Sequence, residues 1–409
     1  MQSIIKNEAH GDFARVLEPA VGDGALLKAI GNNYKELLAF DINQENLSTV
    51  SKTVDPTRVK LSCEDFLSSE VQGSFDLILS NPPFNNNLAH HVAHNNKKTP
   101  IEAAFVVKCL THLSQDGKAI FILPSSIING DKTRWLRERI ISNHKITSIY
   151  KLPKFSFKKV EGSFYVLCLE NTKSKNYDIR FYKSCNLSYI LNSSEVISQN
   201  YNLDPELLSK TSEYERVLEC LGRVKLSSLA SINRGNICAT GKKHSLYHST
   251  DFKSHIARPK TISHGLVSSA STTNLNLLLK RVGRLASKSL SIYYGKEEIP
   301  CSDCIITITP NAAGESSSLS LLLMLRVSIA LGADAVFEIS GSGANYISLS
   351  RLKTLDIPLH AIFKDPETIN SYKKLIISES RAEASLFEEK IADHIIAQTD
   401  IAKIATADC

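Results

Sequence analysis

Val16-Leu-Glu-Pro-Ala-Val-Gly-Asp-Gly24 is the stretch that decides the fold of the first half of this chain. A short apolar run leads into a loop with two glycines, and a helical pattern over Ala25–Ile30 follows it. Glycine lets the backbone approach a ligand closely, and the first turn of a helix offers free N–H groups. The stretch therefore predicts a strand, a ligand-facing loop and a helix in succession.

The same alternation of short apolar runs and longer helical patterns continues to about Leu169. The candidate strands are Arg15–Leu17, Leu37–Asp41, Lys60–Cys63, Phe75–Ser80, Lys118–Leu123, Ile146–Lys151 and Phe164–Leu169. Strands joined by crossover helices form a mostly parallel sheet, and ligands lie beyond the carboxyl ends of its strands. We therefore expect an α/β fold with a Rossmann-like sheet, and functional residues at the strand ends.

Three carboxylates stand at the ends of successive predicted strands. Glu18 ends the first strand, Asp41 the second and Asp65 the third, and Ile42 and Phe66 follow the latter two. A carboxylate after the second strand usually binds ribose hydroxyls, and the next one can accept from an adenine amino group. Glu18 would repel a pyrophosphate, which argues against a dinucleotide. Each acid alone is more often a solvated loop residue, but the three together favour a nucleoside site.

The fourth predicted strand ends in Asn81-Pro82-Pro83-Phe84. Two prolines directly after a buried strand fix the backbone and remove two N–H donors. Acceptors remain, because the Asn81 side-chain oxygen and the Pro82 carbonyl are available to an amino group, and Phe84 adds a flat face for stacking. A rigid strand-terminating turn is the alternative interpretation, which the order and position of these residues disfavour.

These four elements together resemble the S-adenosylmethionine-dependent N6-adenine DNA methyltransferases, in the arrangement where a target-recognition domain follows the catalytic motifs. The resemblance covers Val16 to about Leu169. It implies a methyltransferase domain over residues 1–175, with Asn81, Pro82, Pro83 and Phe84 as the catalytic motif and no metal. The implied residues for the cofactor, S-adenosylmethionine, are Glu18, Ala20, Gly22, Gly24, Asp41, Ile42, Asp65 and Phe66.

The resemblance further implies methyl transfer to the N6 amino group of adenine in DNA, in a restriction–modification or phage-defence context. Two alternatives stay open: a methyltransferase for an RNA base or a protein glutamine, and a non-catalytic DNA-binding subunit. Phe155-Ser-Phe157 looks like the family's motif for an aromatic residue that faces a flipped base. We predict that Phe157 stacks on the base beside Phe84, with Phe155 as the alternative. Two ordinary core phenylalanines explain this motif nearly as well.

The start of the chain departs from the family's pattern. About fifteen residues precede the first motif, and Met1–Ala14 lacks the Tyr-Thr-Pro-like segment that usually closes the methionine side of the cofactor pocket. We therefore expect the catalytic domain to have a shortened N-terminus. A late-assigned start, a fragment and a decayed enzyme are the competing explanations.

The second half of the chain is strongly basic. From Cys220 to Lys296 it has thirteen Lys or Arg and one acid, Asp251, whereas the formal net charge of the whole chain is +6. A stretch of this length in which nearly all charges are positive favours a polyanion partner over a merely solvated basic face. The candidate DNA-binding residues are Arg234, Lys242, Lys243, Lys280, Arg281 and Arg284.

Residues from Val224 to about Ala397 carry a weaker likeness to the specificity domains of restriction–modification systems. It rests on pieces such as Arg234-Gly235, Lys280-Arg-Val-Gly283 and Asp303-Cys-Ile-Ile-Thr-Ile-Thr309. We expect residues 224–409 to form a mixed α+β DNA target-recognition domain with a helical tail opened by Asp365-Pro366. Residues 176–223 are predicted to be a linker with one helix. The expected partners are double-stranded DNA and a restriction endonuclease or other defence-system subunit.

Composition and the remaining motifs exclude several classes of protein. Hydrophobic residues make up 43% and charged residues 22%, which fits a folded chain with a core. The apolar run Leu319–Ala333 contains Arg326 and is shorter than the roughly 20 residues that a bilayer needs. Nine scattered cysteines suit a reducing compartment, so we expect a cytoplasmic protein. His90, His91 and His94 lack a partner carboxylate, and Cys301–Cys304 lacks a second CxxC, so neither set predicts a metal site.

Overall fold

The computed structural model describes residues 1–84, 89–91, 98–153, 156–157, 162–183, 185–236, 238–244, 255–258, 264–267, 271–283, 289–339 and 346–407. The chain divides after Leu208 into two compact units. Each unit has its own buried clusters of apolar side chains.

Strands and helices alternate through most of the first unit. The strands are β1 (Phe13–Glu18), β2 (Tyr34–Phe40), β3 (Val59–Ser62), β4 (Phe75–Ser80), β5 (Ala89–His91), β6 (Lys98–Pro100), β7 (Leu113–Pro124), β8 (Lys145–Lys151), β9 (Phe164–Glu170), β10 (Asp178–Lys183) and β11 (Asn186–Asn192). The helices are α1 (Gln2–Glu8), α2 (Ala25–Ile30), α3 (Gln44–Ser51), α4 (Ile101–Thr111), α5 (Ser125–Ile128), α6 (Arg134–Asn143), α7 (Ser193–Ser198) and α8 (Pro205–Leu221), the last of which spans the division.

One sheet of nine strands organises this unit, in the order β11-β10-β8-β9-β7-β4-β1-β2-β3. Strands β1, β2, β3, β4 and β7 run parallel, whereas β9 is antiparallel to both of its neighbours. Ile78 of β4 pairs with Leu17 of β1 and Ala119 of β7. The carboxyl ends of the five parallel strands therefore meet at one edge of the sheet.

Helices cover both faces of this sheet. Ile78 packs in a cluster with Phe105 of α4, whereas its neighbours Leu77 and Leu79 pack in a second cluster with residues of α1, α2 and α3. Successive side chains of a strand point to opposite faces, so a central strand buried on both sides is a continuous apolar run. The expected α/β fold is confirmed, and all seven predicted strands are present as β1 to β4 and β7 to β9.

The interpretation of residues 176–223 as a linker with one helix is wrong in part. The helix is present as α8, but β10 and β11 extend the first sheet, β10 parallel to β8 and β11 antiparallel to β10. Only Ile179 and Phe181 of β10 are fully buried, and β11 lies at the sheet edge with mostly exposed side chains. An edge strand needs few apolar residues, so its sequence resembles a polar connection.

The second unit is a mixed arrangement of short strands and helices. Its strands are β12 (Arg223–Lys225), β13 (Ala230–Arg234), β14 (Cys238–His244), β15 (His264–Val267), β16 (Ser271–Thr272), β17 (Leu277–Lys280), β18 (Leu290–Ile292), β19 (Ile299–Pro300), β20 (Ile305–Pro310), β21 (Glu338–Ile339), β22 (Tyr346–Ile347) and β23 (Asp356–Pro358). Its helices are α9 (Leu226–Leu229), α10 (Glu315–Ala330), α11 (Asp334–Phe337), α12 (Leu349–Lys353), α13 (Pro366–Ile377) and α14 (Arg381–Ala407).

The core of the second unit lies between an antiparallel sheet, β13-β20-β17-β18, and the helices α10, α13 and α14. The apolar run that begins at Leu319 forms most of α10, whose Arg326 pairs with the buried Glu388 of α14. Asp365 caps α13 by accepting from the Thr368 N–H at 2.8 Å. The mixed α+β organisation with a helical tail is thus confirmed. Within the described residues, no helix is long and apolar enough to span a membrane.

Candidate active site

A cavity of about 550 Å³ lies in the first unit where β1, β2, β3 and β4 end. Its walls bring together most of the predicted cofactor and catalytic residues. These are Glu18, Ala20, Gly22, Asp41, Ile42, Asp65, Phe66, Asn81 and Pro83. The strand-end positions that the sequence singled out therefore surround one space.

Glu18 places a buried carboxyl group in the wall of this cavity. The residue is 1% exposed, and its Oε2 has no hydrogen-bond partner among the described residues. Burial raises the pKa of Glu18 well above its usual range, and the negative charges of Asp23 and Asp41 raise it further. A buried carboxylate without a partner is costly. The geometry therefore favours a cationic ligand beside Glu18.

Asp41 fixes the glycine loop against the next helix. Its Oδ2 accepts from the Gly22 N–H at 2.8 Å and from the Asn46 amide at 3.1 Å, while its Oδ1 accepts from the Asn43 N–H at 2.8 Å. A carboxylate has about four acceptor positions, so one more donor can be bound. The side chain of Ile42, next in the chain, is 78% exposed and offers an apolar face to a ligand.

The turn after β3 contributes two residues in different ways. Asp65 accepts from the Leu67 N–H at 3.0 Å, which stabilises the turn. The Phe66 ring is 1% exposed and lies 5.5 Å from the Phe40 ring centroid, so it supports the cavity from the core. Lys108 of α4, which the sequence analysis missed, donates to the backbone carbonyls of Phe66 and Leu67. Its contact spans some forty residues, so no local pattern indicates it.

The Asn81 motif follows β4, which pairs directly with β1, so it lines the cavity next to the residues that end β1. The Asn81 side-chain oxygen Oδ1 is buried and has no hydrogen-bond partner among the described residues. Pro82 is buried, whereas Pro83 is exposed and lines the cavity with Asn81. An unpaired buried acceptor costs about 1–3 kcal/mol, which a ligand that donates a hydrogen bond would recover.

Three phenylalanine rings meet beside this motif. The Phe84 ring centroid lies 5.9 Å from that of Phe157 and 4.9 Å from that of Phe164, and Phe157 and Phe164 are 4.6 Å apart. The structure thus brings the two predicted stacking residues together and adds Phe164, the first residue of β9. Phe155, the alternative to Phe157, lies outside the described residues.

Gly24 acts through its backbone. It precedes α2 with φ of +75°, and a Cβ there would lie 3.2 Å from the Cγ2 atom of Val50. We expect Gly24→Ala to destabilise the first unit by about 1–2 kcal/mol, because a left-handed backbone disfavours a side chain. Thermal unfolding monitored by circular dichroism measures this loss of stability. Gly117→Ala is not an equivalent control, because the backbone φ of Gly117 is not in the left-handed region.

A better comparison is Gly22→Ala, since Gly22 has φ of +52° and nothing within 4 Å of an added Cβ. It carries the same backbone strain without the contact to Val50. A smaller loss for Gly22→Ala than for Gly24→Ala is therefore expected, and equal losses would contradict a role for that contact.

The cavity also contains residues that the sequence analysis did not assign. They are Met1, Pro19, Val21, Asp23, Ala25, Leu26, Glu64, Ile101 and Phe105. Ile101 and Phe105 lie on the first turns of α4, and the apolar sequence of that helix was the available signal. Met1 precedes α1, whose Ile4 and Ile5 are buried. Met1, in the segment before the first motif, therefore supplies part of the cavity wall.

The predicted DNA-binding residues are only partly described. Arg234, Lys280 and Arg281 lie at the ends of β13 and β17, beside the start of β20. The Arg234 and Arg281 side chains both donate through Nε to the Asp303 carbonyl, at 3.1 Å and 2.8 Å. Burial and the nearby charge of Arg234 lower the pKa of Arg281. For Lys242 and Lys243 only the backbone strand β14 is described, and Arg284 lies outside the described residues.

The remaining metal-ligating residue types are placed as follows. His90 and His91 lie on β5, whose side chains are not described, and His94 lies outside the described residues. Cys301 is buried and Cys304 is half-buried, each as a free thiol. In the described part of the chain, no three His, Cys, Asp or Glu side chains are arranged to hold a metal ion.

A protein-family model matches the part of the chain that contains Asp41, Asp65 and Asn81 but not the glycine loop before α2. The model of the Eco57I restriction-modification methylase family covers residues 25–157, which include β2, β4 and the Asn81 motif. Residues 25–157 resemble the Eco57I methylases. The resemblance to restriction-modification methyltransferases that the sequence motifs predicted is confirmed at this level.

Individual relatives of the chain are also methyltransferases by name. The type II methyltransferase M.AccI of Acinetobacter calcoaceticus is 24% identical over an alignment of 258 residues, and this match covers 55% of this chain and 47% of that protein. The modification methylase CviBIII of Paramecium bursaria Chlorella virus NC1A is 31% identical over an alignment of 138 residues, and this match covers 31% of this chain and 35% of that protein. The chain thus spans about half, or about a third, of the length of these curated relatives.

One solved structure completes the comparison. It is the methyltransferase subunit of a type I restriction-modification system from Streptococcus thermophilus, at 17% identity and a TM-score of 0.41. The match covers 50% of this chain and 56% of that one.

Proposed function

We propose that the first unit transfers a methyl group from S-adenosylmethionine to the N6 amino group of adenine in DNA, within a restriction–modification or phage-defence system. The observation that carries the proposal is the buried, unpartnered Oδ1 of Asn81 in the wall of an acidic cavity. An amino group would donate the hydrogen bond that this oxygen lacks. The similarity of residues 25–157 to the Eco57I methylases supports the same reaction class.

The residues of the cavity fit S-adenosylmethionine. When bound, S-adenosylmethionine supplies a methyl carbon that is already activated by a positively charged sulfur. Glu18, whose Oε2 is buried and unpartnered, suits the positive charge of this ligand. Asp41 keeps acceptor capacity for one ribose hydroxyl, and the exposed Ile42 covers an apolar face. The volume of about 550 Å³ lies in the range of small-molecule sites.

The protein's own part in the reaction is to position and polarise the target amine. The amine is a poor nucleophile because its lone pair is delocalised into the purine ring. The Asn81 Oδ1 and the Pro82 carbonyl accept its two hydrogens and so direct the lone pair away from them. Methyl transfer would form the N–C bond as the C–S bond breaks, with a neutral thioether as the leaving group, and the resulting acidic ammonium would lose its proton to solvent. Orientation and electrostatics therefore suffice, and a strong general base is not required.

The target base must leave the DNA duplex before it reaches Asn81, which costs a few kcal/mol. The rings of Phe84 and Phe157 supply stacking surface beside the motif. The second unit supplies positive charge for the DNA backbone, and a restriction endonuclease or another defence-system subunit is the partner that this context implies. We propose that the protein acts in the cytoplasm, where chromosomal and invading DNA meet.

Phe157→Ala is expected to weaken methylation of duplex DNA about tenfold, because stacking on one aromatic ring contributes about 1–3 kcal/mol per base. The loss should shrink on duplexes with a mismatched target adenine, since such a base leaves the stack more easily. Steady-state methylation of matched and mismatched duplexes measures the difference. An equal loss on both duplexes, or a fall in melting temperature alone, would assign Phe157 to the core.

The function itself is tested by incubating the purified chain with methyl-labelled S-adenosylmethionine and separate pools of DNA, RNA and protein. We expect label in DNA only, as N6-methyladenine at one sequence, which long-read sequencing of DNA from expressing cells would locate. Label in RNA or protein would replace the proposed substrate. Failure to bind S-adenosylmethionine in isothermal titration would favour the non-catalytic alternative.

A further inference from the structure

The ends of β13 and β17 converge on one turn of the second unit. Both strands pair antiparallel with β20, so Arg234 at the end of β13 and Lys280 at the end of β17 flank the start of β20. The turn that precedes β20 contains Asp303, and Arg281 follows Lys280 directly. Residues from three separate parts of the basic half therefore meet at one edge of this sheet.

Arg234 is held in one orientation at this edge. Its Nε donates to the Asp303 carbonyl at 3.1 Å, and its Nη2 donates to Asp303 Oδ2 at 3.2 Å. Gly235 lies so close to this turn that a Cβ would be 2.0 Å from the Ser302 carbonyl oxygen. The close backbone approach keeps Arg234 against Asp303, although the two side chains are 44% and 42% exposed.

The two bonds leave one edge of the Arg234 guanidinium unused. A guanidinium has five N–H groups, and the bonds to Asp303 use the Nε–H and one Nη2–H. The remaining Nη1 and Nη2 hydrogens form a planar fork. Such a fork matches two adjacent acceptors, and guanine presents O6 and N7 as such a pair in the major groove.

Charge at the site separates a base from a phosphate as its ligand. The ion pair with Asp303 compensates the charge of Arg234, and a phosphate bound at that guanidinium would meet the repulsion of the Asp303 carboxylate, whereas the charge of Arg281 still attracts a phosphate beside it. A neutral base edge meets no such repulsion. Arg281, whose Nε donates to the same Asp303 carbonyl, adds a second guanidinium beside the fork.

We infer that Arg234, oriented by Asp303, recognises a guanine in the DNA sequence that this chain methylates. This assignment rests on the proposed function and names one determinant of its sequence specificity. The ligand is the O6 and N7 edge of a guanine, and Asp303 acts on it through Arg234 as a positioning residue.

The test uses the full chain and duplexes that carry the sequence found by long-read sequencing. Each guanine is replaced in turn by 7-deazaguanine, which removes N7 and keeps base pairing. At one of these guanines, the replacement should weaken binding by wild type about tenfold. Arg234→Ala should bind the substituted and the unsubstituted duplex alike. Arg234→Lys keeps the charge without the planar fork, so it should lose the discrimination as well.

Arg223→Ala is the matched control, because Arg223 is 41% exposed in the same unit and also pairs with an acid, Glu215. It should keep wild-type discrimination at every guanine. Asp303→Ala leaves the backbone carbonyl in place and frees the charge of Arg234. It should therefore weaken discrimination while strengthening binding to unrelated duplexes and steepening the dependence on salt.

Two results would overturn the assignment of Arg234 and leave the proposed function unaffected. One is a wild-type preference for N7 that survives in Arg234→Ala. The other is equal weakening of all duplexes by Arg234→Ala with a salt slope lower by about one, which indicates a phosphate contact. Absence of any duplex binding by wild type would overturn the proposed function, and this assignment with it.

Discussion

Replacing Asn81 by alanine is expected to slow DNA methylation about a hundredfold to a thousandfold, the range for removing one aligned polar group from a reacting centre. The loss should appear in the rate with saturating DNA and cofactor, because the contact matters most when the amine attacks. Affinity for S-adenosylmethionine should stay within about threefold of wild type, since Glu18, Asp41 and Asp65 are retained. Single-turnover methylation and isothermal titration measure the two quantities.

Asn171→Ala provides the matched control for that variant. Asn171 follows β9 at the opposite edge of the same sheet, where its side-chain amide donates to the carbonyls of Leu113 and Ser114 at 3.0 Å and 2.9 Å. It should lower thermal stability and leave the methylation rate nearly unchanged. Loss of cofactor binding in Asn81→Ala would instead place Asn81 in the cofactor pocket, and an unchanged rate would remove it from the mechanism.

Glu18→Gln is expected to weaken binding of S-adenosylmethionine about a hundredfold, because breaking a buried charged contact costs about 2–5 kcal/mol. Burial raises the pKa of Glu18 well above its usual range in the free protein. A cationic ligand then competes with a proton for the carboxylate. Wild-type affinity should therefore fall as the pH is lowered through this raised pKa, and binding should release a proton.

The same substitution should stabilise the ligand-free protein. A carboxyl group whose pKa is raised by folding contributes stability at low pH, and that contribution is lost as the pH rises through the folded-state pKa. Glutamine removes this loss, so the melting temperature at neutral to alkaline pH should rise by about 2–4 °C, and the gain should vanish in acid.

Titration calorimetry across pH and thermal melts test both parts of this prediction. Glu36→Gln is the control, because Glu36 is exposed on β2 and pairs with Arg15 away from the cavity. It should change neither the pH dependence nor the affinity. A wild-type affinity that is independent of pH, or an unaltered affinity in Glu18→Gln, would contradict the cationic subsite.

The sequence predicted most of what surrounds the cavity because parallel strands are buried on both faces. Their apolar runs are easy to find, and the residues that end them must meet at one edge of the sheet. Glu18, Asp41 and Asn81 were located in this way. Strands β10 and β11 were missed because their exposed side chains leave little apolar periodicity.

Other features depend on contacts between distant residues, which periodicity does not encode. The Phe66 ring lines the cavity from the core side, where it packs against Phe40 and against Phe105 of a helix some forty residues away in the chain. Lys108 reaches the turn after β3 from a different helix. Likewise, the count of basic residues treated Arg234 as a free cation, whereas Asp303, sixty-nine positions away, pairs with it.

The meeting of β13 and β17 at the start of β20 has a consequence for how such a protein can diversify. The interior of that sheet is built from inward-facing side chains such as Ile232, Leu279 and Ile308. The side chains of Arg234 and Asp303 are exposed and lie outside this packed interior, so they tolerate exchange at little cost in folding free energy, unlike Gly235 beside them. With the role inferred for Arg234, a new target sequence would then need only a few substitutions at this edge and none in the first unit.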